Sequence, residues 1–285
     1  MTKIPDNDIK PKIESNYYFN GKKMIKESKI KIDETEINYI SFGKGEQVMV
    51  LIPGLSLREV KGSGLFIAYM YRIFSKKYKV YCFDKRTLIP ENSTVENFAD
   101  DLAFCMKQLN IKNTDVLGIS QGGMIGQYLA IKYPELVRKL CLGVTLSKNN
   151  PTVISCVNNW IKLAEAAQYE KLVTNIFNKM YSERYLNKYK FFLPILKRLG
   201  KPKRLIRFIN NAKACLTCNT NELLENIKCP VLVLGGKKDN VLTGKASQEI
   251  AEKLSCEIYM YEELGHSAYE EAADFNNRVL NFFMK

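Results

Sequence analysis

The sequence predicts an α/β protein, a mostly parallel sheet with helices on both faces and one all-helical insertion. Three observations support this. Strand-like apolar runs alternate with helix-like periodicity from residue 47 onward, the pattern of parallel strands buried under crossover helices. Between Leu146 and about Ile227 the pattern is helical only. A short stretch, Asp115 to Gly123 (DVLGISQGG), joins a buried strand to a helix through a turn flanked by glycines.

Taken in order, residues 1–20 are polar, contain Pro5 and Pro11, and are expected to form an N-terminal extension with little core. Lys29 to Ile37 alternates, with Ile30, Ile32 and Ile37 apolar, and Ile40 to Phe42 resumes after a turn. That pattern predicts an antiparallel pair at a sheet edge. Gln47 to Ile52 (QVMVLI) is a continuous apolar run, as a strand buried on both faces requires, and it ends in Pro53-Gly54-Leu55-Ser56. A helix is expected around Leu65 to Lys77, then a strand, Lys79 to Phe83, running into Asp84-Lys85-Arg86. Ser93 or Thr94 is placed to cap a helix from Val95 to Leu109, whose apolar face includes Phe98, Leu102 and Met106.

Beyond the Asp115–Gly123 stretch come a helix to Tyr133 and a strand, Leu140 to Val144. The insertion reads as helices at Val157–Ala167, Glu170–Met180, a stretch interrupted by Pro194, and Leu205–Leu216. A strand, Cys229 to Leu234, a helix, Ser247 to Leu254, a strand, Glu257 to Tyr261, and a closing helix, Glu270 to Phe283, complete the alternation. The predicted organisation is a core of residues 21–146 and 227–285, with residues 147–226 as a helical cap. The cap is expected over the C-terminal edge of the sheet, where open α/β sheets bind ligands.

Composition narrows the class. The chain has 285 residues, 46% hydrophobic and 26% charged, without repeats or low-complexity tracts, as in ordinary globular proteins. The start, MTKIPDNDIK, lacks the apolar segment of a secretory signal, and the longest apolar run, Val48 to Pro53, is too short to span a bilayer. A soluble, cytoplasmic protein is expected. Eight cysteines lie scattered, mostly within apolar patterns where free Cys acts as a small hydrophobe, which fits a reducing compartment. Cys215 and Cys218 form a lone C-x-x-C, with neither a second pair nor a neighbouring histidine, so no metal site is expected.

The formal charge of +13 is uneven: Lys179 to Lys213 holds eleven Lys or Arg and one acid, Glu183. A solvated helical face is the expected reading. A second possibility is docking on an anionic membrane surface, because Phe191, Phe192, Leu193, Ile195, Leu196 and Leu199 precede KPKRLIRF. Nucleic acid is not expected as a partner, since no recognition module appears.

The chemistry starts at Ser120. Gly118-Ile119-Ser120-Gln121-Gly122 is G-x-S-x-G between strand and helix, a turn that forces the serine into a strained backbone and projects its side chain. Glycines flank it because a Cβ there would collide with neighbouring backbone. Serine is a poor nucleophile at neutral pH and needs a base. His266 is the only histidine of the chain, in a Gly-His-Ser loop between the last strand and the last helix. The base needs a carboxylate to fix its tautomer, and Asp239 follows VLVLGGKK, 27 residues before His266. Glu262 and Glu263 are too near the histidine in sequence to be favoured. Two backbone donors, the N–H of Gln121 and that of Leu55, are expected to hold a developing oxyanion.

These residues resemble the α/β-hydrolase superfamily over about residues 30–285: LIPGLS its oxyanion loop, VLGISQGG its nucleophile elbow, CPVLVLGGKKD its acid strand, and LGHSAYEEAADFNNRVLNFF its histidine loop and final helix. The resemblance implies an eight-stranded sheet, a variable cap, hydrolysis through an acyl-enzyme and no cofactor. The chain departs from the family pattern twice: Pro53-Gly54 replaces His-Gly, and Asp84-Lys85-Arg86 runs into TLIPENS without the usual glycines.

The expected function is therefore a carboxylesterase-like serine hydrolase for a small-molecule acyl substrate, with Ser120 as nucleophile, His266 as base and Asp239 as its orienting acid. Two alternatives stand beside it. One is an acyltransferase or a carbon–carbon bond hydrolase with the same residues, and the other is a non-catalytic ligand-binding protein on the same fold.

Overall fold

A computed structural model of the chain describes residues 12–19, 22–189, 191 and 205–285. The sheet runs in the order β1-β2-β3-β5-β4-β6-β7-β8-β9. Its strands are β1 (Lys12–Phe19), β2 (Lys22–Ile32), β3 (Thr35–Phe42), β4 (Gln47–Ile52), β5 (Tyr78–Arg86), β6 (Thr114–Ile119), β7 (Val137–Gly143), β8 (Val231–Gly236) and β9 (Glu257–Tyr261). From β5 across to β9 every pairing is parallel, and β1, β2 and β3 add an antiparallel edge. The β2–β3 hairpin turns at Asp33, whose positive φ an Asp tolerates better than most residues.

Several expectations change here. The turn expected between Ile37 and Ile40 lies instead at Asp33 and Glu34, inside the alternating run. Residues 12–19, expected within an extension, form β1, so the sheet has nine strands rather than eight. Tyr17, Tyr18 and Phe19 are good strand formers, and their pairing covers the backbone row that β2 would otherwise expose. The helix expected over 65–77 is α1 (Gly64–Met70) followed by a 3-10 turn, Arg72–Lys76. The closing helix is likewise divided into two pieces around Asp274.

Helices cover both faces. α2 (Val95–Gln108) opens with a capping box: Asn97 N–H donates to Thr94 Oγ1 at 3.1 Å, and Thr94 N–H donates to Asn97 Oδ1 at 3.0 Å. With α3 (Gln121–Lys132) and α8 (Gly244–Leu254) it packs on the face lined by Val50, Ile52, Val116, Leu140 and Val233. The opposite face, with Met49, Leu51, Leu117, Cys141 and Leu232, lies under α1 and α10 (Phe275–Met284). Adjacent residues of β4 thus serve opposite layers, the period-2 consequence of a strand buried on both sides. The short α9 (Ala268–Glu271) precedes α10.

Between β7 and β8 the described residues form helices α4 (Pro151–Glu165), α5 (Tyr169–Met180), α6 (Glu183–Tyr189) and α7 (Leu205–Cys215). The ends of this insertion meet, with Thr220 N–H donating to Ser147 O at 2.7 Å and Lys148 bridging Asn219. It sits on the C-terminal edge of the sheet. Among the described residues no helix is long and apolar enough to cross a membrane. The apolar group Phe192, Leu193, Ile195, Leu196 and Leu199 and the segment KPKR lie outside the described residues.

The basic segment is not wholly a solvated face. Arg207 of α7 is buried and donates to Asp84 Oδ1 at 2.9 Å, to Lys85 O at 3.1 Å and to Arg86 O at 3.1 Å. Both members of the Arg207–Asp84 pair are almost fully buried, with side chains 7% and 6% exposed. Breaking such a pair strands the remaining charge in low dielectric. Arg207→Ala is therefore expected to lower unfolding free energy by about 3–5 kcal/mol, read from denaturant midpoints. An unchanged midpoint would mean that the pair does not anchor the insertion.

Candidate active site

Ser120 stands between β6 and α3 with φ 53° and ψ −118°, outside both strand and helix backbone. Such a conformation costs roughly 1–3 kcal/mol and must be held by its surroundings. Its N–H donates to Gly143 O at the end of β7 (2.8 Å), and its carbonyl accepts from Gly123 N–H (2.8 Å), Met124 N–H (3.2 Å) and Thr145 Oγ1 (2.7 Å). The flanking glycines are steric necessities. A Cβ on Gly118 would lie 2.4 Å from Gly122 O, and one on Gly122 would lie 1.9 Å from Ile52 O.

The structure brings Ser120, His266 and Asp239 into one hydrogen-bonded chain, although 146 and 27 positions separate the bonded pairs in sequence. His266 Nε2 is 2.9 Å from Ser120 Oγ, and His266 Nδ1 is 2.8 Å from Asp239 Oδ2. The histidine loop is fixed on two sides: Lys238 N–H donates to Leu264 O (2.9 Å), and Ser267 N–H donates to Met180 O of α5 (2.9 Å). Asp239 lies beyond β8, and its second oxygen accepts the N–H groups of Val241 (2.7 Å) and Leu242 (2.9 Å). Burial alone would raise the pKa of this carboxyl. The adjacent His266 ring and the two backbone N–H groups outweigh burial and hold it below the usual carboxylate value. An ionised Asp239 accepts from Nδ1–H, which assigns the tautomer with a bare Nε2 facing Ser120. Glu262 and Glu263 instead pair at the surface with Lys237 and Lys238.

The two backbone donors expected for an oxyanion lie on segments that border Ser120. Gln121 is the first residue of α3, and its side-chain Nε2 donates to Asn211 O (3.0 Å) and Oδ1 (2.7 Å) of α7. Leu55 follows Gly54, where a Cβ would lie 3.2 Å from Ser120 Cβ and 3.8 Å from its Oγ. Neither the Leu55 nor the Gln121 N–H has an acceptor among the described residues.

Several residues at the site were not legible as functional. Lys85 is buried, and its Nζ donates to Pro53 O (2.6 Å) and Gly54 O (3.0 Å). The only signal was its place at the end of the strand pattern KVYCF, deep enough in a central strand to require burial. At the junction of α5 and α6, Tyr181 O–H donates to Glu270 Oε2 (2.6 Å) and Ser182 bonds Glu271, tying the insertion to the segment after His266. Cys215 and Cys218 are buried, and burial pushes both thiols up to about 12, so they stay protonated and unreactive.

Comparison with known proteins bears on the fold. The family model for the alpha/beta hydrolase fold matches residues 47–169, from β4 through Ser120 to the start of α5. Two curated relatives resemble most of the chain. A 2-hydroxy-6-oxononadienedioate/2-hydroxy-6-oxononatrienedioate hydrolase of Pseudomonas sp. is 24% identical, covering 90% of this chain and 96% of its own. A 3-oxoadipate enol-lactonase of Acinetobacter baylyi is 24% identical, covering 86% and 92%. Among solved structures, an alpha/beta hydrolase enzyme from a Medee basin deep-sea metagenome superposes with a TM-score of 0.82 at 22% identity, over 90% of this chain and 98% of its own. With the parallel sheet, the strained Ser120 turn and the family match over residues 47–169 all in agreement, the chain has the α/β-hydrolase fold.

Proposed function

We propose that the chain is a serine hydrolase that cleaves a carboxylic ester or a related acyl compound. The single observation behind this reading is the hydrogen-bonded relay Ser120–His266–Asp239, with links of 2.9 and 2.8 Å, at a turn with a strained backbone.

In this mechanism His266 Nε2 takes the proton of Ser120 Oγ as the oxygen attacks the substrate carbonyl. Asp239 stabilises the imidazolium that forms and stays ionised. The developing oxyanion is held by the Leu55 and Gln121 N–H groups. Collapse breaks the bond to the leaving group, which receives the proton from Nε2. A water deprotonated by His266 then attacks the acyl-enzyme, and a second collapse frees the acid and restores Ser120 O–H. The protein supplies preorganised donors and acceptors throughout: the serine's proton departs with the leaving group, and a proton from water replaces it on Ser120.

The similarity to an enol-lactonase supports ester cleavage, since a lactone is an internal ester. A second reading has its own observation: the Pseudomonas relative is a hydrolase of a 2-hydroxy-6-oxo diacid, so hydrolysis of a carbon–carbon bond beside a ketone is compatible with the same residues. The leaving group, a carbanion rather than an alkoxide, separates the two.

Fluorophosphonate probes should label the wild type and leave Ser120→Ala unlabelled, and kcat on aryl esters should drop by about 10⁶-fold in that variant. Labelling that survives Ser120→Ala would remove Ser120 as nucleophile. An aryl-ester series of increasing acyl length, run beside a vinylogous 1,5-diketone, reports which bond is cleaved.

Asp239→Asn keeps the shape of the acid but presents an amide in place of the carboxylate. Its kcat is expected to fall about 10⁴-fold through loss of the productive tautomer, while thermal stability changes far less. A kcat within tenfold of wild type would show that another group orients His266.

A further inference from the structure

We propose that Lys85 is a positioning residue for the oxyanion loop: by holding the Pro53 and Gly54 carbonyls it keeps the Leu55 N–H turned toward Ser120. The proposal rests on the serine-hydrolase reading and deepens it.

The argument begins with the cost of burying a lysine. An ammonium removed from water must find partners for its three N–H donors. The neighbouring carboxylate is already engaged: Asp84 Oδ1 accepts from Lys85 N–H and Arg207, and Asp84 Oδ2 accepts from Val60 N–H at 2.8 Å. Lys85 Nζ turns instead to two consecutive carbonyls of a single loop. In a trans peptide the N–H points opposite to the C=O of the same unit. Pinning Pro53 O and Gly54 O on the Lys85 side therefore sends the Gly54 and Leu55 N–H groups to the other side. Ser120 borders the loop at Gly54, where an added Cβ would lie 3.2 Å from the serine Cβ.

Without the anchor the Gly54–Leu55 peptide has little to fix its orientation, because glycine permits rotations that other residues resist. Lys85 adds a second effect. A cation on the carbonyl polarises the peptide and makes its N–H a stronger donor, as in any chain of hydrogen bonds. Lys85 touches no reacting atom.

The anchor is titratable. Burial pushes the Lys85 ammonium down to about 8. The charged and titratable groups facing it are Asp84 and Cys82 on its own strand and Arg207 and Cys215 on α7. Below about pH 8 the charge polarises the loop, and as pH rises through that value the neutral amine loses the charge. Activity should fall in the same direction.

The test uses the full chain and an aryl ester that the wild type hydrolyses. Lys85→Met is expected to lower kcat about 10²-fold, the scale of losing one oxyanion donor, with KM nearly unchanged. Affinity for a trifluoromethyl ketone, whose tetrahedral adduct places an oxyanion in the same position, should weaken by a similar factor. Lys85→Arg keeps a cation and two donors, so it should recover part of kcat and lose the fall in activity above pH 8. A Lys85→Met protein with wild-type kcat and wild-type ketone affinity overturns the proposal while leaving the hydrolase reading intact. So does one that only melts earlier with unchanged turnover per labelled site. If Lys85→Met does not fold, the wild-type kcat profile decides, and a flat profile from pH 7 to 10 overturns the proposal. A wild type that neither turns over esters nor takes the fluorophosphonate defeats the hydrolase reading, and Lys85 falls with it.

Discussion

The site depends on one strained residue. Ser120 is held at a positive φ by four hydrogen bonds to its own backbone, from its N–H to β7 and to its carbonyl from the start of α3 and from Thr145. Much of the surrounding architecture follows from that constraint. The turn is so tight that Gly118 and Gly122 touch backbone of the same turn and of β4, and a Cβ on Gly123 would lie 2.6 Å from Thr145. Thr145 reaches Ser120 because Val144, a β-branched residue, itself adopts a positive φ of 43°, with its N–H bonded to Leu234 O (2.8 Å). Two positive-φ backbones, at Ser120 and Val144, thus sit at the ends of neighbouring parallel strands.

The helical insertion is joined to the core at the points that matter to the chemistry. α7 bonds the side chain of Gln121 through Asn211 and the end of β5 through Arg207. The α5–α6 junction bonds the segment around His266 through Met180, Tyr181 and Ser182. Glu270, which accepts from Tyr181, is buried enough that its carboxyl pKa is raised, with the tyrosine hydroxyls only partly offsetting the loss of water. The insertion therefore does more than roof the sheet edge. It is hydrogen-bonded directly to the segments that bear Gln121 and His266.

What could be read from the sequence follows from how local each constraint is. Ser120 was legible because its glycines are required by contacts within a few residues, and His266 because no other imidazole competes. Asp239 was legible from chain order and from its place after an apolar strand. The Thr94 cap is local too, whereas the β2–β3 turn at Asp33 interrupts an alternation that reads as one strand from Lys29 to Ile37. Lys85 and Arg207 were not legible. Their partners lie 31 to 123 positions away, and the charge pattern alone assigned Arg207 to a solvated face. The strand at residues 12–19 was hidden for a related reason: polar residues dominate its first half, and only pairing with β2 makes it a strand. Long-range pairing of charges in a buried interface leaves no periodic trace.

Charge is distributed along the sheet edge in a way that suits the proposed chemistry. At the end of β5, two cations, Lys85 and Arg207, face one carboxylate, Asp84, leaving a net positive charge beneath the loop that borders Ser120. Beyond β8 stands Asp239, a carboxylate kept ionised by its partners. Ser120, at the end of β6, lies between them in the order of strands. In the proposed mechanism, attack by Ser120 creates an imidazolium on the β8 side and an oxyanion on the β5 side. The fixed charges therefore oppose the sign of each developing charge. They are present before substrate arrives, so the transition state gains their stabilisation without reorganising the site, and a neutral ester in the ground state gains little. In the proposed mechanism that difference between the two states lowers the barrier, and it gives a buried lysine, costly to the fold, a role beneath a loop whose contribution is a backbone N–H.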